Sequence, residues 1–582
     1  MRTGFHELTP IALRAATTAA AAVRMMAAAL RVMAVSLAVV LITGCQRELR
    51  KSVAAIDAAY SSGDYPAAAK LAEAAVKQNN NDQQDRLLWW LEAGRTQQAA
   101  GAIDVSSGWY DRAFVEVSPY LDSKAEATIS EALATTAVNQ TIRIYRATPP
   151  ERIMLCALQG ANFLVQWDLA RARIEFNRAA DFQQDAVARF EKEVNNAQEA
   201  ANKEWSKKGW NTQLATSATA SIRKEQGRDP ATLGFASFAN PFVSYLRSVF
   251  LISTSSEMGD RQNARADLRS VQEMLPGLAV ASEDIALIDS GVSHGSAAFT
   301  WVFFLTGLAP DYKEFRLDIP IPIGNVNYVS AAFPILRKRP SFTPVIAVAG
   351  AGGARSETIA NIDAMVEADF DSRLPLIVTQ EIISSAAKAA ATWAASQAAY
   401  NSSSNSTAGI LVQIAGIAYQ AASTAADLRC WSTMPKQIAL LRVPTPASGR
   451  LDLVREDGTA LCTLDVEPGA PNIALVTLPS MSAKSPSIML YRGGTVHGPR
   501  APVLEPDAES TMGPPLVRFI RTSFAVRKNC WKRSLTRVCA EIAESAGVVR
   551  VYVVFTEPQP TARSAAVMNV AAQVTRSARR AQ

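Results

Sequence analysis

The chain predicts an α+β fold, on three observations. Residues 46 to about 280 carry helical periodicity broken by short turns, as in a solenoid of stacked helical hairpins. The centre mixes buried extended runs with Ala-rich helical stretches. Residues 431–492 alternate with the two-residue rhythm of antiparallel strands. A chain of 582 residues is too long for one core, so about two to four folded domains are expected. The divisions fall at 1–44 (leader), 45–280 (helical repeat), 281–430 (mixed α/β), 431–492 (small β-sandwich-like domain) and 493–582 (basic, partly disordered tail).

The leader comes first. Ala34 to Ile42 is apolar but short for a bilayer span, Arg24 and Arg31 precede it, and Thr43 and Gly44 are small. That order marks a secretory signal rather than a membrane helix. Met25 or Met26 is an alternative start. Leu41-Ile42-Thr43-Gly44-Cys45 resembles the lipobox of bacterial lipoproteins. The resemblance implies cleavage before Cys45, a diacylglycerol thioether on its sulfur and a palmitate-type acyl group on its amine. Two or three chains, at about 0.8 kcal/mol per buried methylene, anchor a protein stably. Gln46, which is not Asp, implies the outer membrane, with the protein on its periplasmic face. An ordinary secretory leader with an unrelated cysteine is the alternative.

The formal charge of +6 is unevenly spread: about +3 lies in the leader and about +7 in the last ninety residues, leaving the body near −4. A slightly acidic body argues against a nucleic-acid surface. Besides Cys45 there are Cys156, Cys430, Cys462, Cys530 and Cys539, an odd number, so at least one stays free or pairs between chains in an oxidising compartment.

In the helical half, Val53, Ile56 and Tyr60 share one face, Ser61 to Asp64 break it, and Ala68, Leu71, Ala72, Ala75 and Val76 form the next. Neither helix can bury its stripe alone. The turn Gly63-Asp64-Tyr65-x-x-Ala68 recurs as Gly108-Trp109-Tyr110-x-x-Ala113, Trp167-Asp168-x-x-x-Ala172 and Gly259-Asp260-x-x-x-Ala264. This resembles the tetratricopeptide repeat at wider spacing than 34 residues; a helical bundle with Gly turns is the alternative. Trp89, Trp90, Trp109 and Trp167 are expected in the core. Asp181 to Lys208 reads as an exposed helix or long connection.

In the centre, Phe299 to Leu305, Leu317 to Ile323 and Val345 to Ala349 read as strands. Glu357 to Phe370, Ile377 to Tyr400 and Gly409 to Asp427 read as helices, with Pro375 separating the first two. No charge falls between Lys388 and Asp427. A membrane hairpin is conceivable, but Gln397, Gln413 and Gln420 and the Ala, Ser and Thr content favour a buried helical pair. Further on, Gln437 to Val443, Arg450 to Arg455, Leu461 to Val466, Ile473 to Leu478 and Ser487 to Tyr491 predict five antiparallel strands, with Asp457-Gly458 as a hairpin turn. Val548 to Phe555 is one more strand, and Arg527 to Arg537 is a basic cluster suited to anionic lipid or glycan.

The blocks Asn240-Pro241-Phe242, Gly307 to Pro310, Ala368-Asp369-Phe370 through Arg373-Leu374-Pro375, and Ala426 through Trp431 to Pro435 resemble a family of bacterial envelope lipoproteins. Its members have a repeat-like helical front and a mixed rear, and the likeness spans residues 45 to about 492. Members have Arg where this chain has Gln380. Their likeness to neighbours of the lipoproteins that activate penicillin-binding proteins implies a link to cell-wall synthesis.

Catalytic motifs are weak. Gly291-Val292-Ser293-His294-Gly295 matches the nucleophile elbow, but the candidate strand follows the motif instead of preceding it, and His497 is the only later histidine. Ser221-x-x-Lys224 and Ser385-x-x-Lys388 lack a K-T-G partner. The Gly350 to Gly353 run has Arg355 where a dinucleotide fingerprint wants a small residue. Three histidines and no paired C-x-x-C leave no metal motif. No cofactor, metal or catalytic residue is therefore expected. The sequence points to a non-enzymatic, lipid-anchored scaffold or adaptor that binds envelope proteins through its helical repeat. A serine hydrolase using Ser293 and His497, and a membrane-associated homo-oligomer built on the uncharged helical pair, are the alternatives.

Overall fold

A computed structural model of the chain describes residues 48–79, 83–118, 144–207, 213–227, 239–291, 298–321, 328–340, 345–349, 354–402 and 425–494, and two strands beyond residue 500. The architecture is α+β. Ten helices are described before residue 290: α1 (48–61), α2 (Tyr65–Gln78), α3 (Arg86–Ala99), α4 (Ile103–Val117), α5 (Pro149–Val165), α6 (Leu169–Lys207), α7 (Gln213–Gln226), α8 (Pro241–Thr254), α9 (Met258–Met274) and α10 (Ala279–Asp289). They pack chiefly as sequential pairs, α2 on α3, α3 on α4, α5 on α6 and α8 on α9.

Three turns share one backbone geometry. Between α1 and α2, Gly63 stands at φ +78° and the Asp64 N–H donates back to Ala59 O at 3.0 Å. Between α3 and α4, Gly101 stands at φ +82° and the Ala102 N–H donates to Gln97 O at 3.0 Å. Between α5 and α6, Trp167 takes the same place at φ +62°, and the Asp168 N–H donates to Phe163 O at 2.9 Å. Each is a left-handed cap that satisfies carbonyls left open by the preceding helix. Five residues after each turn, Ala68, Ser106 and Ala172 are fully buried. Seven before and nine after, a glycine faces a ring in two of the pairs. A Cβ on Gly94 would lie 2.4 Å from Tyr110, and one on Gly160 would lie 2.6 Å from Phe176.

Two of the expected turns are corrected. Gly108 lies inside α4 and Gly259 inside α9, both exposed and without a neighbour where a Cβ would sit. The α3–α4 turn uses Gly101, because a positive φ and not a glycine's place in a pattern defines the cap. Trp89 is buried, whereas Trp90, Trp109 and Trp167 are partly buried against the core. The segment expected as an exposed helix or connection continues the 39-residue α6.

Among the described residues up to 499, the strands form three sheets. Five strands run in the order β10 (Ser487–Arg492), β9 (Asn472–Leu478), β1 (Phe299–Thr306), β6 (Gln437–Pro444) and β5 (Glu357–Asn361). A second sheet joins β4 (Ile346–Val348), β7 (Arg450–Arg455) and β8 (Ala460–Asp465), and a third pairs β2 (Asp311–Ile319) with β3 (Val329–Arg337). The five C-terminal strands were expected to make their own antiparallel sandwich. Instead β1 inserts between β6 and β9, antiparallel to one and parallel to the other. The reason lies in β1 itself, which is apolar on both faces. Trp301, Phe303 and Leu305 join the core shared with the helices, while Val302 and Phe304 face the β7–β8 layer. Such a strand needs a partner on each edge and a layer on each side. Asp284 ties α10 to this sheet: it accepts from Tyr245 Oη at 2.5 Å, Trp301 Nε1 at 2.8 Å and Arg442 Nε at 2.5 Å.

Residues 357–361, expected as helix, form β5 against β6. One helix, α11 (Ile362–Ser402), then runs through Pro375. Proline withholds the N–H that Asp371 O would normally receive, and Arg223 Nη2 donates to that carbonyl at 3.4 Å. Most of the expected helix 409–427 lies outside the described residues; 425–427 are not helical. Among the described residues no helix is long and apolar enough to cross a membrane. Residues 500–582 form a separate unit whose described part is a hairpin of β11 (Val538–Ser545) and β12 (Val548–Phe555). Strands β3 and β11 were not expected from the sequence.

Candidate functional site

The helices α1, α3 and α5 grip an extended piece of the same chain. Residues 425–436, neither helix nor strand, precede β6 and meet carboxylates from several elements, among them Glu314, which accepts the Ala426 N–H at 3.1 Å, and Asp363, which pairs with Lys436. Arg429 Nη1 donates to Asp85 Oδ1 at 2.8 Å, and its Nη2 donates to Asp427 Oδ2 at 2.7 Å. The Trp431 N–H donates to Glu151 Oε1 at 2.8 Å. The Ser432 N–H donates to Glu92 Oε1 at 2.6 Å, and Thr433 Oγ1 donates to Glu92 Oε2 at 2.6 Å. Ser432 Oγ lies 2.6 Å from Asp57 Oδ1 and 2.8 Å from Glu92 Oε1. From the loop after β3, Arg339 Nη1 donates to Ser432 O at 3.1 Å. Every polar atom of Ser432 is thus held. The indole of Trp431 is buried and meets the Tyr110 ring edge-on, centroids 6.1 Å apart.

Local sequence explains where the acceptors stand. Glu151 is the N3 residue of the α5 capping box that begins at Thr148, and it also accepts from Tyr145 Oη at 2.6 Å. Glu92 closes the apolar run Leu87 to Leu91 and is wholly buried. Burial pushes its carboxyl up to about 7, with the Asp57 charge adding to the shift. Burial also raises Asp57, against the pull of Arg339. Beneath the segment a polar row crosses the helices. Arg95 Nη2 donates to Thr477 Oγ1 at 3.0 Å, Gln98 Nε2 to Asn162 Oδ1 at 2.7 Å, and Asn162 Nδ2 to Ser106 Oγ at 2.9 Å.

Beside Asp57 opens a cleft of about 730 Å³, lined among others by Ser61, Asp311, Arg337, Arg339, Ser480 and Met481. Of its charges, Asp57, Asp311, Arg337 and Arg339 are paired with one another, and Lys338 pairs with Glu367. Arg339 Nη2 lies 3.1 Å from Asp57 Oδ2 and 3.7 Å from Asp311 Oδ2, and Arg337 pairs with Asp311. The α1–α2 turn closes one end: the Lys484 N–H donates to Ser62 O at 3.1 Å, and Tyr65 Oη donates to Ser485 O at 3.1 Å.

Cys45, Ser293, His497, the Gly350 to Gly353 run and the basic cluster 527–537 lie outside the described residues. Ser221 donates to Ser217 O at 2.9 Å within its own helix, while Lys224 is exposed. Ser385 and Lys388 are buried on α11. Cys156, Cys430 and Cys462 are free thiols. Among the described residues no group of His, Cys, Asp and Glu is arranged to hold a metal ion. Sequence reasoning missed Asp57, Glu92, Glu151 and Arg339. A glutamate at the end of Leu-Leu-Trp-Trp-Leu was the one visible signal, since a carboxyl there must be buried with partners. Comparison with protein-family models gives no match, and comparison with curated proteins gives none.

Proposed function

We propose that this chain is a lipid-anchored scaffold or adaptor on the periplasmic face of the bacterial outer membrane, one that binds envelope proteins by contact and makes or breaks no bonds. In this reading the helix pairs continue as an irregular, tetratricopeptide-like solenoid. The observation that carries it is the grip on residues 425–436. A helical surface that takes up an extended segment through backbone N–H groups, hydroxyls and one tryptophan anchor is built for peptide recognition. Because the chain fills that surface itself, partners are expected at the neighbouring cleft and its rim, where Met481 is 52% exposed. The leader and lipobox-like sequence support the location.

Two experiments test this. Cells fed an alkyne-bearing fatty acid should label the wild-type chain and not Cys45→Ser, which should also leave the membrane fraction; an unlabelled wild-type chain removes the anchor. A photo-crosslinker at Met481 should give discrete protein adducts in native envelopes, lost when the crosslinker is moved to a buried site. Labelling by a fluorophosphonate probe that disappears in Ser293→Ala would instead establish the hydrolase.

A further inference from the structure

We propose that Asp57, Ser432 and Glu92 share one bound proton, and that this proton latches residues 425–436 onto the helices, so that the segment loosens as the surroundings pass from mildly acidic to neutral. The case begins with counting hydrogens. Ser432 Oγ lies 2.6 Å from Asp57 Oδ1 and 2.8 Å from Glu92 Oε1, both hydrogen-bond lengths. Two such oxygen–oxygen contacts need two hydrogens, and a serine hydroxyl brings one. The Ser432 amide hydrogen is already directed at Glu92. The second hydrogen therefore rides on a carboxyl.

The surroundings decide which carboxyl. Arg339 stands 3.1 Å from Asp57 Oδ2, and Glu92 has no ion-pair partner among the described residues. The arrangement that satisfies every atom runs from Glu92 Oε1–H to Ser432 Oγ, and from Ser432 Oγ–H to the Asp57 carboxylate beside Arg339. The other charged and titratable groups around the pair come from six elements. Tyr60 of α1, Tyr110 of α4 and Cys430 of the segment are pushed above their usual ranges by burial and stay neutral. Arg95 of α3 lies over the Tyr60 ring. Glu151 of α5 takes the Trp431 N–H, and Asp311 of β2 pairs with Arg339.

The direction follows from linkage. Attached, the pair holds its proton to about 7, where burial and the neighbouring Asp57 charge place Glu92. Released into water, both carboxyls ionise near ~4. Between those values the attached state binds more protons, so release becomes easier as pH rises. One proton gives up to about tenfold in the release equilibrium per pH unit, and the dependence ends above the upper value. This inference needs no partner and stands apart from the proposed function.

Hydrogen–deuterium exchange of the full chain at pH 5, 6 and 7 tests it. Rates in a peptide spanning 428–436 are normalised to intrinsic exchange. Protection should fall by up to about tenfold per pH unit, while a β9 peptide, Asn472–Leu478, should not change. A flat profile in 428–436 overturns the proposal. Glu92→Gln, which carries a permanent donor, should give high protection at all three pH values; a slope like that of the wild type in this variant also overturns it. Should Glu92→Gln fail to fold, Asp57→Asn at the partly exposed member replaces it: its amide supplies the second hydrogen and the charge that helps raise Glu92 is gone, so a shallower slope than the wild type is expected and an unchanged slope is fatal.

Discussion

At the scale of single residues, Ser432 and Glu92 hold more of the structure than their size suggests. Glu92 accepts from the Ser432 amide and the Thr433 hydroxyl and shares a hydrogen with Ser432 Oγ, all out of water. Truncating it leaves two donors without an acceptor, each worth about 1–3 kcal/mol when buried and unmet. Glu92→Ala should therefore destabilise the chain by about 2 kcal/mol or more, and Glu92→Gln by clearly less, read as the shift in denaturant midpoint. Equal losses would mean that the carboxyl's acceptor role is unimportant. Half of this was legible in the sequence. A glutamate ending an apolar run announces a buried acid, but nothing local announces its partner 340 residues away.

At the scale of elements, the helix pairs depend on glycine used in two ways. Gly94 and Gly160 let Tyr110 and Phe176 lie against the backbone, and a methyl group there would overlap the rings. Gly94→Ala or Gly160→Ala should cost about 1–3 kcal/mol, the usual range for overpacking. Gly108 and Gly259 stand exposed inside helices with open space around them. Alanine at Gly108, inside α4, should stabilise by about 0.5–1 kcal/mol, because a mid-helix glycine loses more freedom on folding, and alanine at Gly259, in the first turn of α9, should stabilise by less. Thermal unfolding of the four variants checks the opposite signs. The strands were the most legible elements, since alternation and two-sided apolar runs mark them directly: β1, β6, β7 and β9 fall within one or two residues of their expected positions. Helix α11 was not, because Pro375 reads as a stop, and only a distant arginine at the vacated carbonyl shows how the helix passes it.

At the scale of the whole molecule, pairing between remote segments escaped the sequence. Strand β1 joins strands more than a hundred residues later, and residues 425–436 return to helices whose contact residues lie 280 to 375 positions earlier. Period and composition identify elements and their faces, but they do not name the neighbour across an edge when several apolar strands compete. The same return explains why the Trp431 block, already visible as a motif, carried no assigned role until its partners were known. The central claim is that this segment is bound by the helices as a peptide would be. A double-mutant cycle between Glu92→Ala and Thr433→Ala, measured by chemical unfolding, tests it most directly. The account predicts a coupling of about 1–3 kcal/mol, as for a buried hydrogen bond to a charged or shared-proton acceptor. A coupling within about 0.3 kcal/mol of zero, the additivity of independent sites, would contradict it.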